Sequence, residues 1–428
     1  MTAYYIQYLY IQKLWGYRDI ELAFSKDVNI IIGPNASGKT TILNLLRFIL
    51  SPDLIQLRDI DFNKVEIGFK SFDETSTRTI VVKTIDGGYE FNISKKNFQV
   101  PIEPIPPAYM KLPAGYRARM RKLLKNEELE LAINEIAKAV WLPVSRRLPV
   151  AEDDERKEQY PYLESVDVRL RDLIGALKSY RQGLDSKLAL QYKGFERKVL
   201  LEILYSKEYD HVESFSMKVP TYEDKQQLLR AFEVADLLDQ TMRERIDEHF
   251  TAAEDAMNTF KSLSSKKNNL QVNDTKLVEL FFILPLIRRT KSIVEYARKL
   301  EEDRNSIFSP LRKFETIVNE FLQPKSIKID DSGDLSIHSP IQEGVQPHML
   351  SSGEKQILIL LIQALVREDE PVIYVADEPE LSLHVKWQEN LLKSLTQLTN
   401  NIQIIVATHS PDIVGPYRDK VIDLGKSS

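Results

Sequence analysis

The sequence predicts a mixed α/β fold, carrying an antiparallel subsheet and interrupted by a large inserted helical domain. Three observations predict it. Short apolar runs of strand type fill residues 4–32 and 64–94. From about Glu155 to Leu322 glycine nearly vanishes and long amphipathic patterns take over. After Pro324 strand, helix and strand alternate again, so two α/β lobes bracket a helical excursion. The expected organisation is an N-terminal lobe over 1–154, short antiparallel helical arms over 155–322, and a C-terminal lobe over 323–428.

The elements follow in order. Tyr4–Leu14 and Asp19–Phe24 alternate like half-buried strands, and Val28–Ile32 is a short, mostly apolar run like a buried one. Thr40–Leu50 places Leu43, Leu46, Ile49 and Leu50 on one side of a helix. Lys64–Phe69, Thr79–Thr84 and Tyr89–Ser94 read as strands, the last two joined by an Asp86-Gly87-Gly88 turn. Proline-rich Lys95–Pro113 reads as a loop, Tyr116–Ala139 as helix and Ala139–Val144 as a short strand. The insert reads as helices over Tyr162–Tyr192, Gly194–Tyr209, Tyr222–Leu263, Thr275–Phe308 and Leu311–Phe321. The second lobe offers strands at Ser326–Ile329, Leu335–His338, Pro371–Ala376 and Ile402–Ala407, with helices from Ser352 and over Val385–Thr399.

Composition narrows the class. The 428 residues hold 58 Lys+Arg and 63 Asp+Glu, a formal charge of −5, with 43% hydrophobic residues. That balance excludes a disordered chain and a dedicated polycation. With no cysteine there is no disulfide, Cys-based zinc site or thiol nucleophile. No run approaches 18 apolar residues and the N-terminus lacks a signal-peptide pattern, so a cytoplasmic protein without membrane contact is expected.

Gly33-Pro34-Asn35-Ala36-Ser37-Gly38-Lys39-Thr40 fits GxxxxGK[ST], the P-loop of nucleoside triphosphatases. It follows an apolar strand and opens a helix, the context that lets backbone N–H groups and the positive helix end face phosphates. Lys39 is the candidate for the β- and γ-phosphates and Thr40 for Mg²⁺, with Thr41 next to it. From average residue usage the bare pattern arises by chance in roughly one or two such chains per hundred, so that context is needed.

A second apolar strand ends in Asp377-Glu378. Asp377 at its tip suits the Mg²⁺ shell, and Glu378 suits a base or orienter for attacking water. Ser351-Ser352-Gly353-Glu354 opens a helix about 20 residues earlier. Taken alone it is an ordinary N-cap; in this order it is a candidate anion contact. His409 follows the strand Ile402–Val406 and can reach a γ-phosphate or its attacking water.

The order P-loop, Leu350-Ser351-Ser352-Gly353-Glu354, acid-tipped strand and His409 resembles the ABC-type ATPase head. Asp377-Glu378-Pro379-Glu380-Leu381-Ser382-Leu383-His384 and Gln403–Pro411 are similar to the OLD and AAA-15/AAA-21 ATPases of bacterial anti-phage defence, and among these to the ATPase component of PARIS-type systems. The resemblance covers both α/β segments. It implies ATP and Mg²⁺ as cofactors, hydrolysis to ADP and phosphate, and a head-to-tail homo-oligomer, at least a dimer. Ser352 and Gly353 of one copy would then close on the P-loop of another, with Glu380–His384 along the seam. No clear Q-loop glutamine follows the second β region; the segment at Val144-Ser145-Arg146 is the better positional candidate and Gln99 the weaker.

Three readings compete. An anti-phage sensor and scaffold that controls a separate effector fits best. The resemblance implies a TOPRIM nuclease as effector, expected to be a separate protein because the sequence ends 19 residues past His409, and a phage-encoded protein as trigger. A DNA-repair ATPase of SMC or RecF type wants longer arms, and a transporter subunit wants a Q-loop and no large insert. The basic run Lys111, Arg117, Arg119, Arg121, Lys122 and Lys125 reads first as a solvated helix face, with nucleic acid as the alternative.

Overall fold

The structure, a computed structural model, describes residues 3–94, 96–101, 126–141, 165–202, 204, 221–234, 238–265, 274–368, 371–381, 383–399 and 401–425. The chain begins with β1 (Tyr4–Leu14), β2 (Arg18–Ala23), β3 (Val28–Ile32), α1 (Lys39–Leu50) and the single turn α2 (Leu54–Leu57). Strands β4 (Lys64–Ser71), β5 (Thr77–Ile85), β6 (Gly88–Ile93) and β7 (Lys96–Pro101) follow, then α3 (Glu127–Asn134) and β8 (Lys138–Trp141). Long helices come next: α4 (Ser165–Glu202), α5 (Tyr222–Val234), α6 (Gln240–Ser265) and α7 (Asp274–Leu322). The chain closes with β9 (Ser326–Ile329), β10 (Leu335–His338), α8 (Ser352–Leu365), β11 (Val372–Asp377), α9 (Val385–Leu398), β12 (Ile402–Ala407), α10 (Pro411–Val414) and β13 (Val421–Asp423).

The strands form an antiparallel sheet in the order β2-β1-β4-β5-β6-β7, a parallel sheet in the order β13-β3-β12-β11-β8, and the hairpin β10-β9. The division follows from residue type. The cores of β3, β11 and β12 are buried on both faces and are rich in Val and Ile, with Asn29, Tyr374 and Gln403 set among them, as suits parallel strands. Helix α1 buries Ile42, Leu43, Leu45, Leu46 and Ile49 in one apolar cluster with side chains of both sheets, among them Leu9, Ile67, Phe91, Val375 and Ile405. Cutting any one of the fully buried Leu or Ile side chains to Ala costs about 2–5 kcal/mol.

Gln403 stitches the two sheets together. It is fully buried in β12; its Oε1 accepts from Ile6 N at 2.8 Å, and its Nε2 donates to Ile6 O at 2.7 Å and Ser25 O at 2.8 Å. One amide side chain thus serves as a peptide unit between β1 and β12, satisfying groups that would otherwise be buried without partners.

The contacts divide the chain into one unit of Met1–Tyr180 with Leu311–Ser428 and another of Arg181–Pro310. The second unit has small apolar clusters of its own, one of Leu228, Leu229, Ile246, Phe250 and Val294 and one of Phe195, Ala231, Ala297 and Leu300. No helix among the described residues is long and apolar enough to cross a membrane.

Several elements differ from the sequence expectation. Lys96–Pro101, expected as loop, is edge strand β7, because Phe98 and Val100 alternate against β6 before the prolines begin. Of the helix expected over Tyr116–Ala139, only α3 is described; Lys138 already begins β8, and Tyr116–Lys125 lies outside the described residues. Gly194 does not divide α4, and α7 runs through Pro285 and Pro310. Burial of Leu311, Phe314, Val318 and Phe321 along one side of α7 outweighs the local preference for a break. In the opposite sense, Tyr222–Leu263 is divided between α5 and α6.

Candidate functional site

The parallel sheet sets the geometry. Ile31 of β3 lies opposite Ala407 of β12, and Ala407 lies opposite Asp377 of β11. The C-terminal ends of these strands therefore emerge together, at the edge where open α/β sheets take ligands. The chain leaves them as the Gly33–Thr40 loop, as Glu378, and as Thr408-His409.

In the first loop Gly38 is left-handed, with φ +100, and a Cβ there would sit 2.9 Å from Trp15 Cη2. Only glycine makes this turn without displacing the indole. The first helical bond runs from Ile42 N to Gly38 O at 2.8 Å, so the amides of Lys39, Thr40 and Thr41 precede the α1 ladder and have no acceptor in it. Lys39 is 7% exposed; its Nζ donates to Gly33 O at 2.8 Å and Pro34 O at 3.1 Å and has no carboxylate partner among the described residues. Ser37 Oγ is buried with no hydrogen-bond partner among the described residues, and a Cβ on residue 33 would come within 2.8 Å of it. An orphan hydroxyl, an ammonium resting on carbonyls and a row of free amides fit a polyphosphate chain.

Thr40 Oγ1 donates to Asp377 Oδ2 at 2.8 Å. Both groups are hard oxygen donors of the kind Mg²⁺ takes alongside phosphates and water, so the residues present fit that ion. Glu378 is the next residue after β11. Its N donates to Ala407 O at 2.7 Å, and its φ of 53° is left-handed, a conformation that costs a non-glycine residue about 1–3 kcal/mol. Its half-buried carboxylate makes no hydrogen bond or ion pair among the described residues. His409 is exposed, whereas Thr408 and Ser410 on either side of it are buried.

The stretch Ser351–Glu354 is held elsewhere. Ser351 caps α8: its Oγ accepts from Glu354 N at 3.3 Å, and Glu354 Oε2 accepts from Ser351 N at 2.8 Å. Glu354 also accepts from Lys325 Nζ at 2.8 Å. Burial alone would raise the Glu354 pKa; Lys325 and the capping N–H hold it below the usual carboxylate range. The hydroxyl of Ser351 and the carboxylate of Glu354 thus position the helix, leaving Ser352 exposed at its start. None of these residues shares a hydrogen bond or ion pair with Gly33–Thr40 of the same chain, among the described residues. Farther along α8, Lys355 pairs with Asp167 of α4 at 2.8 Å, and the Tyr180 hydroxyl donates to Glu368 just past its end.

Sequence reasoning missed three contributors, Trp15, Arg18 and Gln388, and named a fourth, Glu380, only for the seam between copies. Trp15 packs on Gly38, and Arg18 donates to Ser37 O at 2.9 Å and Leu424 O at 3.1 Å, so the β1–β2 turn props the loop. The clustering of Trp15-Gly16-Tyr17-Arg18 in one short turn was the available signal. Glu380 and Gln388 bind the His409 turn through contacts distant in sequence, which no local pattern announces. Of the Q-loop candidates, Gln99 sits on β7 opposite Glu90, with β4, β5 and β6 between it and β1. Val144-Ser145-Arg146 and the basic run Lys111–Lys125 lie outside the described residues.

Comparison with known proteins shows the family. The chain is 23% identical over 403 residues to a Vibrio cholerae protein named Retron Vc95 probable ATPase, covering 90% of this chain and 66% of that one. It is 39% identical over 75 residues to the Escherichia coli Retron Ec83 probable ATPase, covering 15% of this chain and 14% of that one. The chain thus spans less than two thirds of these relatives. Among solved structures it is similar to an Smc head domain with an extended coiled coil, bound to the C-terminal domain of ScpA, from Pyrococcus furiosus. That likeness has 16% identity, covers 98% of this chain and 93% of the other, and has a TM-score of 0.41. A phosphate-type cradle, an acid-tipped strand and a histidine turn lie on one edge of the parallel sheet. The model of the AAA ATPase domain (AAA_15) matches residues 5–414, and the chain belongs to that family.

Proposed function

We propose that this chain hydrolyses ATP at sites shared between two copies of itself, and that it is the sensor and scaffold of a bacterial anti-phage system that holds a separate effector, of TOPRIM nuclease type, until a phage protein is sensed. The hydrogen bond from Thr40 to Asp377 carries the chemical part, because it joins the P-loop to the acid-tipped strand. Lys39 leaves the Gly33 and Pro34 carbonyls for phosphate oxygens. Glu378 takes a proton from water as the water oxygen bonds to the γ-phosphorus and the bond to the ADP oxygen breaks, giving ADP and phosphate. Thr40 and Asp377 would hold Mg²⁺, which would supply charge neutralisation at the phosphates. That Ser351–Gly353 shares no hydrogen bond or ion pair with the P-loop of its own chain, among the described residues, fits a role in a second copy's site. The names of the two retron relatives, together with the Asp377–His384 and Gln403–Pro411 motifs, support the defence reading.

ATP turnover by the purified protein, abolished in Lys39→Ala, tests the chemistry. Co-purification with the product of the neighbouring gene tests the scaffold. A second reading, a DNA-repair ATPase of SMC or RecF type, draws on the 38 residues of α4 and the 49 of α7; tight DNA binding without a protein partner would favour it.

A further inference from the structure

Glu380 follows the candidate base by two positions. The family resemblance would put it at the seam between copies; in the structure its side chain bonds to the turn that carries His409. Its Oε1 accepts from Thr408 Oγ1 at 2.5 Å and from His409 N at 3.2 Å. Thr408 Oγ1 in turn accepts from Ser410 N at 2.8 Å, and Ser410 Oγ donates to Gln388 Oε1 at 2.6 Å. Gln388 Nε2 donates to Leu383 O at 3.0 Å, and Leu383 N donates to Glu380 O at 2.9 Å. These bonds close a ring: Glu380, Thr408, Ser410, Gln388, Leu383 and back to Glu380.

The ring has a consistent proton count. The Thr408 hydroxyl has one hydrogen, which goes to Glu380, so it receives Ser410 N–H on a lone pair. Ser410 gives its one hydrogen to Gln388 and accepts Asp412 N at 3.2 Å. Thr408 is 1% exposed and Ser410 is 8% exposed, yet His409 between them is exposed. The backbone of a solvent-facing imidazole is thereby clamped on both sides. Glu380 Oε2 is buried and has no hydrogen-bond partner among the described residues. The carboxylate therefore makes its described side-chain bonds through Oε1 alone, to Thr408 and to His409 itself.

The geometry points to Glu380 as a positioning residue for ATP hydrolysis: through Thr408 and the backbone of His409 it fixes the imidazole relative to Glu378, acting within its own chain. This rests on the reading of the site as an ATPase. Lys39→Ala tests that reading separately, because Lys39 lies outside the ring: turnover surviving in Lys39→Ala overturns the ATPase reading itself, whatever Glu380 does.

The test compares steady-state ATP turnover of the full chain with that of Glu380→Ala, Glu380→Gln, Thr408→Val, His409→Ala and the double variant Glu380→Ala/His409→Ala. A displaced catalytic group costs on the order of 100-fold, so Glu380→Ala is expected to lower kcat by about 10- to 100-fold with KM within about threefold. Glu380→Gln, which keeps an acceptor at the Oε1 position, recovers most of the rate. Thr408→Val, which keeps the side-chain shape and removes one donor, loses less than Glu380→Ala. In the His409→Ala background Glu380→Ala has almost no further effect, a readout that a merely structural role would not produce. The proposal is overturned by wild-type kcat in Glu380→Ala or in His409→Ala, by an effect on KM alone, or by an equal further fall in the His409→Ala background. If Glu380→Ala does not fold, Thr408→Val decides: a kcat loss that disappears in the His409→Ala background supports the proposal, and an unchanged or fully additive one overturns it.

Discussion

Thr40 at the start of α1 donates its hydroxyl hydrogen to Asp377 at the tip of β11, at 2.8 Å and 337 positions apart in the sequence. In the proposed site the Thr40 hydroxyl keeps its lone pairs and Asp377 keeps its second oxygen, so both can help hold a Mg²⁺–nucleotide complex while bonded to each other, and their effects on binding should be coupled.

ATP with Mg²⁺ should therefore raise the melting temperature, by an amount equivalent to about 2.7 kcal/mol at a hundredfold excess over Kd. Asp377→Asn should retain the fold and lose most of the Mg²⁺-dependent part of that gain. Thermal melts with ATP in Mg²⁺ or in EDTA measure both. An undiminished Mg²⁺ effect in Asp377→Asn would remove this residue from the metal site.

The parts legible in sequence are those whose physics is local. A short Val- and Ile-rich run, then Gly33–Thr40, then Leu43 and Leu46 at helical spacing specify strand, cradle and helix within a few turns of chain. Asp377-Glu378 and His409 were legible for the same reason, each ending an apolar strand. What was missed depends on partners far along the chain: the Trp15 ring over Gly38, Gln403 joining β1 to β12, and Glu380 reaching Thr408. Local rules also misplaced breaks. Gly194 and Pro310 lie inside continuous helices, because burial on one side of a long helix outweighs one unfavourable residue.

The ion pair between Lys355 and Asp167 ties the helix behind Ser352 to the root of α4, and both side chains are 10% exposed. Removing one member leaves a buried charge alone. Asp167→Asn or Lys355→Met should each destabilise the protein by about 3–5 kcal/mol, while the double variant recovers much of the loss. Chemical denaturation of the three variants measures the coupling. Additive losses would show that the two residues contribute independently.

His249 in α6 lies with Nε2 2.6 Å from Thr290 Oγ1 of α7, and burial holds its pKa below the ordinary 6.5. The folded chain therefore binds this proton less readily than the unfolded chain. The stability tied to the neutral ring is fully present above about pH 6.5 and is lost as pH falls through the folded value. Hydrogen exchange in α6 and α7 should accelerate, relative to the intrinsic rate, between pH 6.5 and pH 5, and His249→Gln should flatten that dependence. Equal slopes in the two proteins would assign the acid sensitivity to other groups.

The exposed Ser352 heads α8, while the P-loop of the same chain shares no bond with that stretch among the described residues. If the site is shared, each active centre draws Lys39 from one copy and Ser352 from another. Lys39→Ala and Ser352→Arg should then both be inactive alone, the second because a bulky side chain blocks the partner's cradle. In a symmetric dimer made from an equal mixture, half the dimers are mixed. Each mixed dimer carries both lesions in one site and none in the other, so turnover should return to about a quarter of wild type. Glu378→Gln supplies the companion measurement: it should bind ATP, hydrolyse it about 100-fold or more slowly, and accumulate as a dimer by light scattering. A mixture that stays inactive while Glu378→Gln with ATP remains monomeric would place the whole reaction within one chain.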